Sequence, residues 1–396
     1  MNPSAIRDKV AIVGMGCTKF GENWDKSAED MMIEAAYEAY GDAGVGPGDI
    51  EAAWVGTIAS GATGEFLAGP LKFRNMPISR VENACATGKD ALRNAVHAVA
   101  CGLYDLVLVM GVEKLKDTGL SGLPELVFSH PVYAVGATAP GRWALGATRY
   151  FAAHGLSPEQ GKRLLAQIAV KNHYNGSMNP RAHFQREITV EQALGAPLVA
   201  WPLGLFDCCP TTDGAACAII APTKLARRFR DDFVLIRGFG LAIGPGWGKE
   251  DIDYKFDYLP ETEAAARQAY EAVGIKDPRR ELSLAEIHDC FTIAELMEYE
   301  ALGFSPRGGA KADIEAGTFT LKGQLPVNSD GGLKAFGHPI GASGIRMCYE
   351  IYKQLQGKAQ LPQRQLKEPR MGLAMAQGGH PGFLMPIVTI LGRRED

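Results

Sequence analysis

Cys85 is the residue whose type and setting most clearly suggest chemistry. It lies in the run Val-Glu-Asn-Ala-Cys-Ala-Thr-Gly of residues 81–88, where an extended segment gives way to small residues that predict a helix to about Cys101. A thiol in the first turn of a helix faces unpaired N–H groups and the positive end of the dipole, which favour its thiolate. The position predicts an acylatable nucleophile, although free cysteines are also common as inert core residues.

Three further segments contain side chains suited to the same chemistry. His338 precedes a predicted helix start, and His288 and Cys290 lie in a His-Asp-Cys-Phe run at the end of a predicted strand, where α/β proteins bind ligands. Gly379 and His380 belong to a Gly-Gly-His-Pro-Gly run whose glycines permit close backbone approach to a ligand and can aim N–H groups at an oxyanion. Each segment alone is a weak signal, because a Gly-His-Pro run is most often a turn, a lone histidine is also typical of a protein core, and a Gly-Gly pair is usually a bend.

The elements that must position these residues form an internal repeat, which predicts an α/β protein of two similar sheets packed through helices. If the halves are related by an approximate two-fold axis, the helices that follow Cys85 and His338 meet at their N-termini. A cysteine would then face a histidine base across one cavity. The first half has strands at 10–16, 52–58 and 105–111 and helices at 27–43 and 85–101; the second has strands at 233–240, 284–291, 372–379 and 383–391 and helices at 260–273 and 341–355.

Between the halves lies a segment, 119–201, that is rich in proline, glycine, histidine and aromatic residues. It contains a helix signal, with Ser157 as N-cap and proline at the first helical position. The segment either shapes a ligand tunnel or is a structural insertion. We expect an N-terminal half of residues 1–118 plus 202–230, an inserted loop domain of 119–201 and a C-terminal half of 231–396.

Composition excludes several classes of protein. The chain has 396 residues, 46% hydrophobic and 22% charged, with a net charge of -4 and no cluster of basic residues, which argues against nucleic-acid binding. No apolar stretch is long enough to span a membrane and the N-terminus lacks a signal-peptide pattern, so we expect a cytoplasmic protein. Eight cysteines without Cys-x-x-Cys spacing predict reduced thiols, with neither a disulfide framework nor a metal site.

Taken together and in this order, the motifs resemble the thiolase family over nearly the whole chain. The finer resemblance is to the sterol-carrier-protein type, which carries His-Asp-Cys-Phe, as at residues 288–291, where other thiolases carry Asn-Glu-Ala-Phe. The resemblance implies two βαβαβαββ halves in a five-layer αβαβα sandwich with an inserted loop domain. The other matching segments are the nucleophile segment around Cys85, Met178–Ala182, Thr212–Ala216, Asn328–Gly332 and Gly337–Gly341.

The resemblance also implies an activity. Cys85 would accept the acyl group of a CoA thioester, and His338 would take its proton and help hold the thioester oxygen. The reaction would be thiolytic cleavage of a 3-ketoacyl-CoA, or the reverse Claisen condensation, in lipid or aromatic-acid degradation. Coenzyme A would be a co-substrate, with no bound cofactor and no metal.

The remaining roles follow from where this sequence departs from common thiolases. The usual acid/base cysteine near the C-terminus is absent, and the resemblance makes Cys290 its substitute. His288 would replace the asparagine that fixes a water in one oxyanion hole, and the backbone N–H groups of Cys85 and of a glycine near Gly379 would form the other. His380 either contacts the acyl substrate or packs, and packing is favoured.

For partners, the resemblance implies an acyl-CoA substrate and at least a homodimer. Prokaryotic relatives often work with a small zinc-ribbon/OB-fold protein, and the cations of the insertion are dispersed, which mildly supports help from such a subunit. Three alternatives stay open: a decarboxylating ketoacyl synthase, a retro-aldol enzyme on the same fold, and a catalytically silent acyl-CoA-binding subunit.

Overall fold

Nine strands form one sheet in the parts of the chain that this computed structural model describes, residues 3–117, 138–244 and 253–394. The strand order is β3-β2-β4-β7-β1-β8-β11-β10-β9, and β5 and β6 form a separate hairpin. The strands are β1 Val10–Cys17, β2 Ala52–Gly56, β3 Ile78–Val81, β4 Val107–Glu113, β5 Leu198–Ala200, β6 Leu203–Gly204, β7 Gly214–Pro222, β8 Val234–Leu241, β9 Leu284–Glu286, β10 Met371–His380 and β11 Phe383–Gly392.

The pairing pattern repeats the predicted duplication. In the first half, β1 pairs with β7 and β7 with β4 in antiparallel orientation, and β4 pairs with β2 in parallel orientation. In the second half, β8 pairs with β11 and β11 with β10 in antiparallel orientation, and β10 pairs with β9 in parallel orientation. In the first half, β3 extends the sheet as a parallel neighbour of β2. In the second half, the equivalent parallel pairing on β9 is a single bridge between Ala285 and Val327. The two half-sheets are also joined, because residues 10–12 of β1 pair with residues 234–236 of β8. The sequence did not predict this pairing, which satisfies backbone groups on two strands that would otherwise be edges.

The helices begin and end close to where local signals place them. The side chain of Ser27 caps α1 in a capping box, and Ser157 does the same for α5 as predicted. Among the helices of the described residues, none is long and apolar enough to cross a membrane. The helices are α1 Ala28–Ala43, α2 Glu65–Leu71, α3 Thr87–Ala100, α4 Ala139–Ala153, α5 Pro158–Ser177, α6 Val190–Leu194, α7 Thr223–Ala226, α8 Pro260–Val273, α9 Pro278–Glu281, α10 Thr292–Ala301, α11 Ala310–Glu315, α12 Gly332–Ala335 and α13 Ile340–Leu355.

The outer helices α1 and α8 pack on equivalent strands by the same device. A Cβ on Gly16 of β1 would lie 2.0 Å from the carbonyl oxygen of Ala35 in α1, and a Cβ on Gly240 of β8 would lie 1.8 Å from that of Ala265 in α8. Only glycine allows either helix to approach its strand so closely. These contacts cover the outer faces of the half-sheets, and α3 and α13 lie between the inner faces, which gives the expected five layers.

The two central helices meet at their N-termini, as the two-fold argument predicts. A Cβ on Gly88 of α3 would lie 2.3 Å from the carbonyl oxygen of Gly341 in α13, and a Cβ on Gly341 would lie 2.4 Å from that of Gly56 in β2. Small residues at both helix starts therefore permit backbone contact. The first part of the predicted insertion, 119–137, lies outside the described residues, and the division at 118, 201 and 230 stays a prediction.

Candidate active site

Cys85 lies in the turn between β3 and α3 and not in the first turn of the helix. Ala84 has a left-handed φ of 48°, and the turn is closed by the N–H of Ala86 donating to Asn83 O at 3.1 Å and that of Thr87 to Ala84 O at 3.0 Å. Because α3 begins only at Thr87, the sulfur precedes the helix by two residues. The predicted helical position was wrong, since the tight turn takes up the residues before the helix.

His338 is fully buried just before α13, and its hydrogen bonds assign its tautomer. The hydroxyl of Ser343 donates to Pro339 O at 2.9 Å, so its oxygen accepts from Nδ1–H of His338 at 2.8 Å. Nε2 of His338 is buried and has no partner among the described residues. It therefore carries a free lone pair, which is what a general base requires.

His288 follows β9 directly as the chain leaves the sheet, and its ring stands edge-on to that of His338. The ring centroids are 5.1 Å apart with an interplanar angle of 83°, and Nδ1 of His288 is buried without a partner in the described residues. Burial, together with the neighbouring His338 and Arg346, holds the pKa of His288 well below its usual value. His288 is therefore a neutral ring with hydrogen-bonding capacity to spare.

Three predicted site residues meet at one point. The sulfur of Cys85, one ring nitrogen of His288 and one ring nitrogen of His338 all lie within 4.8 Å of one another. The three side chains come from β3–α3, β9–α10 and the start of α13, so both halves of the repeat contribute. A thiol and a neutral imidazole this close can exchange a proton when a substrate draws them together.

Cys290 lies close enough to Cys85 for their charges to interact, and beside Cys209, a cysteine that the sequence did not single out. The carbonyl oxygen of Cys290 accepts from the N–H of Cys209 at 2.9 Å. Burial, followed by the charges that Cys209 and Cys85 would carry, raises the pKa of Cys290 well above its usual value. Cys290 is therefore a thiol that holds its proton.

The glycines of β10 form the wall behind Cys85. A Cβ on Gly378 would lie 2.6 Å from Cβ of Ala84 and 3.1 Å from the nitrogen of Cys85, so this strand touches the turn. Gly379 has a φ of +89°, and a Cβ there would lie 1.8 Å from the carbonyl oxygen of Phe383. Both positions need glycine, one for contact with the nucleophile turn and the other for its backbone conformation.

His380 makes protein contacts with both ring nitrogens. Its Nδ1–H donates to Pro381 O at 3.0 Å, and its Nε2 accepts from Arg142 at 2.7 Å. Burial, followed by the charge of Arg142, lowers the pKa of His380 to about 4. These contacts support packing, although the choice between packing and substrate contact stays a prediction.

The resting protonation state differs from the expected thiolate. Burial, followed by the negative charge of Glu113, raises the pKa of Cys85 to about 12, and burial lowers that of His338 to about 3. The resting pair is thus a thiol and a neutral imidazole. The expectation of a stabilised thiolate was wrong because burial and the charge of Glu113 raise the pKa of the thiol, and the backbone hydrogen bond that lowers it is too weak to offset them.

Glu113, Ser343 and Cys209 are the site residues that sequence reasoning missed. Glu113 ends β4, and its carboxylate also accepts from the hydroxyls of Thr57 and Ser60 at 2.8 and 3.0 Å. Its place at a strand end could have marked it, because ligand crevices form there. Ser343 and Cys209 carry no comparable signal, since their roles depend on contacts with residues of other segments.

The sequence matches the thiolase N-terminal domain over residues 10–224 and the thiolase C-terminal domain-like family over residues 253–393. It is 37% identical to an acetyl-CoA acetyltransferase of Methanothermobacter thermautotrophicus, over 95% of this chain and 98% of that protein. It is 32% identical to sterol carrier protein 2 of Gallus gallus, over 90% of this chain and 68% of that protein. A solved Ltp2-ChsH2(DUF35) aldolase superposes with a TM-score of 0.84 at 26% identity, over 99% of this chain and 100% of that chain.

Proposed function

This chain belongs to the thiolase family, and we propose that its acyl transfer proceeds through an acyl group on Cys85. Family membership makes it a CoA-dependent acyltransferase that cleaves a 3-ketoacyl-CoA thiolytically or runs the reverse Claisen condensation. The observation that carries the assignment of residues is the convergence of Cys85, His288 and His338 within 4.8 Å.

In the cleavage direction, the sulfur of Cys85 attacks the keto carbon and its proton passes to Nε2 of His338. Proton transfer is unfavourable in the resting site, because the pKa of the thiol is raised to about 12 and that of the imidazole is lowered to about 3. It therefore accompanies carbonyl attack, when the developing oxyanion and the substrate change the electrostatics of the site. A neutral pair also protects the sulfur from premature reaction.

Cys290 then acts as the acid at the α-carbon. When the bond between the α-carbon and the former keto carbon breaks, the leaving acyl-CoA carries an enolate that needs a proton. A buried thiol with a strongly raised pKa holds that proton at neutral pH and, after donating it, is reprotonated by the thiol of the incoming coenzyme A. The resulting CoA thiolate attacks the acyl group on Cys85, the bond between the acyl carbon and the sulfur of Cys85 breaks, and the leaving thiolate takes back the proton held by His338, which closes the cycle.

Two sets of donors would hold the oxygens that become negative. His288 would hold a water in the first oxyanion hole, and Nε2 of His338, whose ring lies edge-on to that of His288, would join it as a donor once it carries the proton of Cys85. The N–H groups of Cys85 and Gly379 would form the second, and the contact of Gly378 with the turn supports this arrangement. Loss of one such donor typically costs about 2.7–4 kcal/mol in kcat.

Intact-mass measurement tests the proposal. Incubation with an acyl-CoA in the absence of acceptor should add one acyl mass to the wild type and to Cys101→Ser, whose thiol is exposed at the other end of α3. Cys85→Ala should gain none and should lose 3-ketoacyl-CoA cleavage. An unacylated wild type would instead support a silent acyl-CoA-binding subunit, and an adduct on the Cys85→Ala variant would refute the assignment.

A retro-aldol reaction is the second candidate, because the superposed structure with a TM-score of 0.84 is named an aldolase. Such chemistry breaks a carbon–carbon bond of a β-hydroxyacyl thioester and needs no acyl-cysteine. Full turnover of a β-hydroxyacyl-CoA by Cys85→Ala would favour it. A ketoacyl synthase is separated by its use of malonyl-CoA as donor, where a thiolase uses acetyl-CoA.

We also propose that the enzyme works as a homodimer with a small zinc-ribbon/OB-fold partner in the cytoplasm. The edge strand β3 is unpaired on its outer side within the described residues and is only partly buried, which suits pairing with a second copy. The name of the superposed Ltp2-ChsH2(DUF35) aldolase joins two components, which supports a partner subunit. Full turnover by the purified chain alone would remove the need for the partner.

A further inference from the structure

We propose that Cys85, His288 and His338 form a binding site for a soft divalent metal ion, best suited to Zn²⁺, and that the bound ion reversibly blocks acyl transfer. Binding is inferred from the three side chains and their surroundings and does not depend on the proposed function. The block on catalysis rests on the proposed function, because it requires Cys85 to be the nucleophile.

The donor set and its dimensions fit zinc. One thiolate and two imidazoles are ligands that Zn²⁺ prefers, and tetrahedral coordination places sulfur and nitrogen donors about 3.6 Å apart. The corresponding atoms of Cys85, His288 and His338 already lie within 4.8 Å of one another. Side-chain rotations that move the donor atoms by about 1 Å would close the remaining gap. Carboxylate-preferring ions such as Mg²⁺ do not match this set.

Both imidazoles are buried, and each has a ring nitrogen without a partner in the described residues, which is the independent sign of a ligand site. Nε2 of His338 and Nδ1 of His288 have no hydrogen bond within the described part of the chain, and their residues are 0% and 1% exposed. A buried polar atom without a partner costs about 1–3 kcal/mol, so a ligand that engages both is favoured. Nε2 of His338 can accept an ion, because its proton is on Nδ1.

The surroundings resemble the outer shell of metal sites. Histidine ligands usually donate their second N–H to a fixed acceptor, which orients the ring. Nδ1–H of His338 donates in this way to Ser343 at 2.8 Å, which leaves Nε2 for the ion. The carboxylate of Glu113, held by the N–H of Gly341 three residues from His338, supplies negative charge nearby.

Binding replaces the S–H bond of Cys85 with an S–Zn bond, and the thiol proton leaves to solvent without any oxidation or reduction. The ion then occupies the nucleophilic sulfur and the lone pair of the base at once. Acyl-CoA cannot react while the ion is bound, and a fourth coordination position stays available to water. Removal of the ion by a chelator restores both groups.

Direct titration tests the site without reference to activity. Chelator-stripped wild-type protein and Cys101→Ser should each bind one tight Zn²⁺ ion per chain in competition with a chromophoric chelator. Cys85→Ala and His338→Ala should each bind it at least 100-fold more weakly. Ser343→Ala should lose about 10- to 100-fold, as expected for an outer-shell partner of a ligand. Far-ultraviolet circular dichroism identifies any variant that has not folded, and His288→Gln replaces one that fails.

Co²⁺ provides a spectroscopic arm. The wild type should develop a thiolate-to-cobalt charge-transfer band that is absent in Cys85→Ala. Zn²⁺ should also protect Cys85, and not Cys101, from alkylation, and EDTA should reverse the loss of activity. Absence of tight binding in an active wild type would overturn the metal proposal alone, as would equal binding by Cys85→Ala. Tight, Cys85-dependent binding by a protein with no acyl-transfer activity would uphold the site and count against the proposed function.

Discussion

The hydrogen bond from His338 to Ser343 should set the rate of acylation. Ser343→Ala leaves the buried Nδ1–H of His338 without an acceptor, since both residues are 0% exposed. Acylation converts the ring into an imidazolium, and its charged Nδ1–H then has no acceptor in the variant, which should lose about 1–3 kcal/mol of transition-state stabilisation. At about 1.4 kcal/mol for each factor of ten, the acylation rate should fall about 5- to 150-fold.

The measurement is single-turnover acylation of Cys85, monitored by quenched-flow mass spectrometry between pH 6 and 9. The fold loss should be the same across this range, because His338, with its pKa lowered to about 3, is neutral throughout. Pro339 O loses the serine hydroxyl but keeps the N–H groups of Ala342 and Ser343, each at 2.9 Å, so the helix start is preserved.

Thr389→Val in β11 is the matched control, because its buried hydroxyl has no partner within the described residues. This variant should acylate at the wild-type rate. If Ser343→Ala also acylates within twofold of the wild type, the serine neither orients the imidazole nor stabilises its protonated form.

Three other perturbations separate acylation, geometry and stability. Cys290→Ser should still form acyl-Cys85 from an acyl-CoA but should lose most carbon–carbon bond cleavage; a variant that cleaves normally would show that Cys290 is not the acid. Gly378→Ala should lower kcat at least tenfold, because its Cβ would lie 2.6 Å from Cβ of Ala84 and would displace the nucleophile turn. Unchanged kcat would show that the turn can yield. His173 has a pKa lowered to about 4 by burial and then by Lys334. Below pH ~6.5 this histidine is therefore protonated in the unfolded chain but stays neutral in the native state. The free energy of unfolding should fall by up to about 3 kcal/mol as the pH falls toward 4. His173 is stacked on the ring of Phe184 and lies edge-on to that of Phe206, so His173→Phe should remove that loss in urea unfolding at pH 4.5 while changing stability little at pH 7. An unaltered pH dependence would contradict the assignment.

Local sequence was sufficient for the elements of the fold. Serine and proline at helix starts, apolar runs bounded by glycine, and the recurrence of the same strand and helix order placed α1, α5, α8 and the major strands within a few residues. These signals act over one or two turns of chain, so neighbouring residues determine them. The duplication also predicted that the N-termini of α3 and α13 meet, which brought Cys85 and His338 together.

Tertiary structure alone decided the chemistry of the site. The pKa of Cys85 depends on burial and on Glu113, and the free lone pair of His338 depends on a serine one turn along its own helix. The contact of Cys209 with Cys290 and the joining of β1 to β8 are likewise invisible in local patterns. The physical reason is that desolvation and charge interactions sum over atoms from distant segments, whereas the sequence pattern of a helix or strand records only its own neighbours.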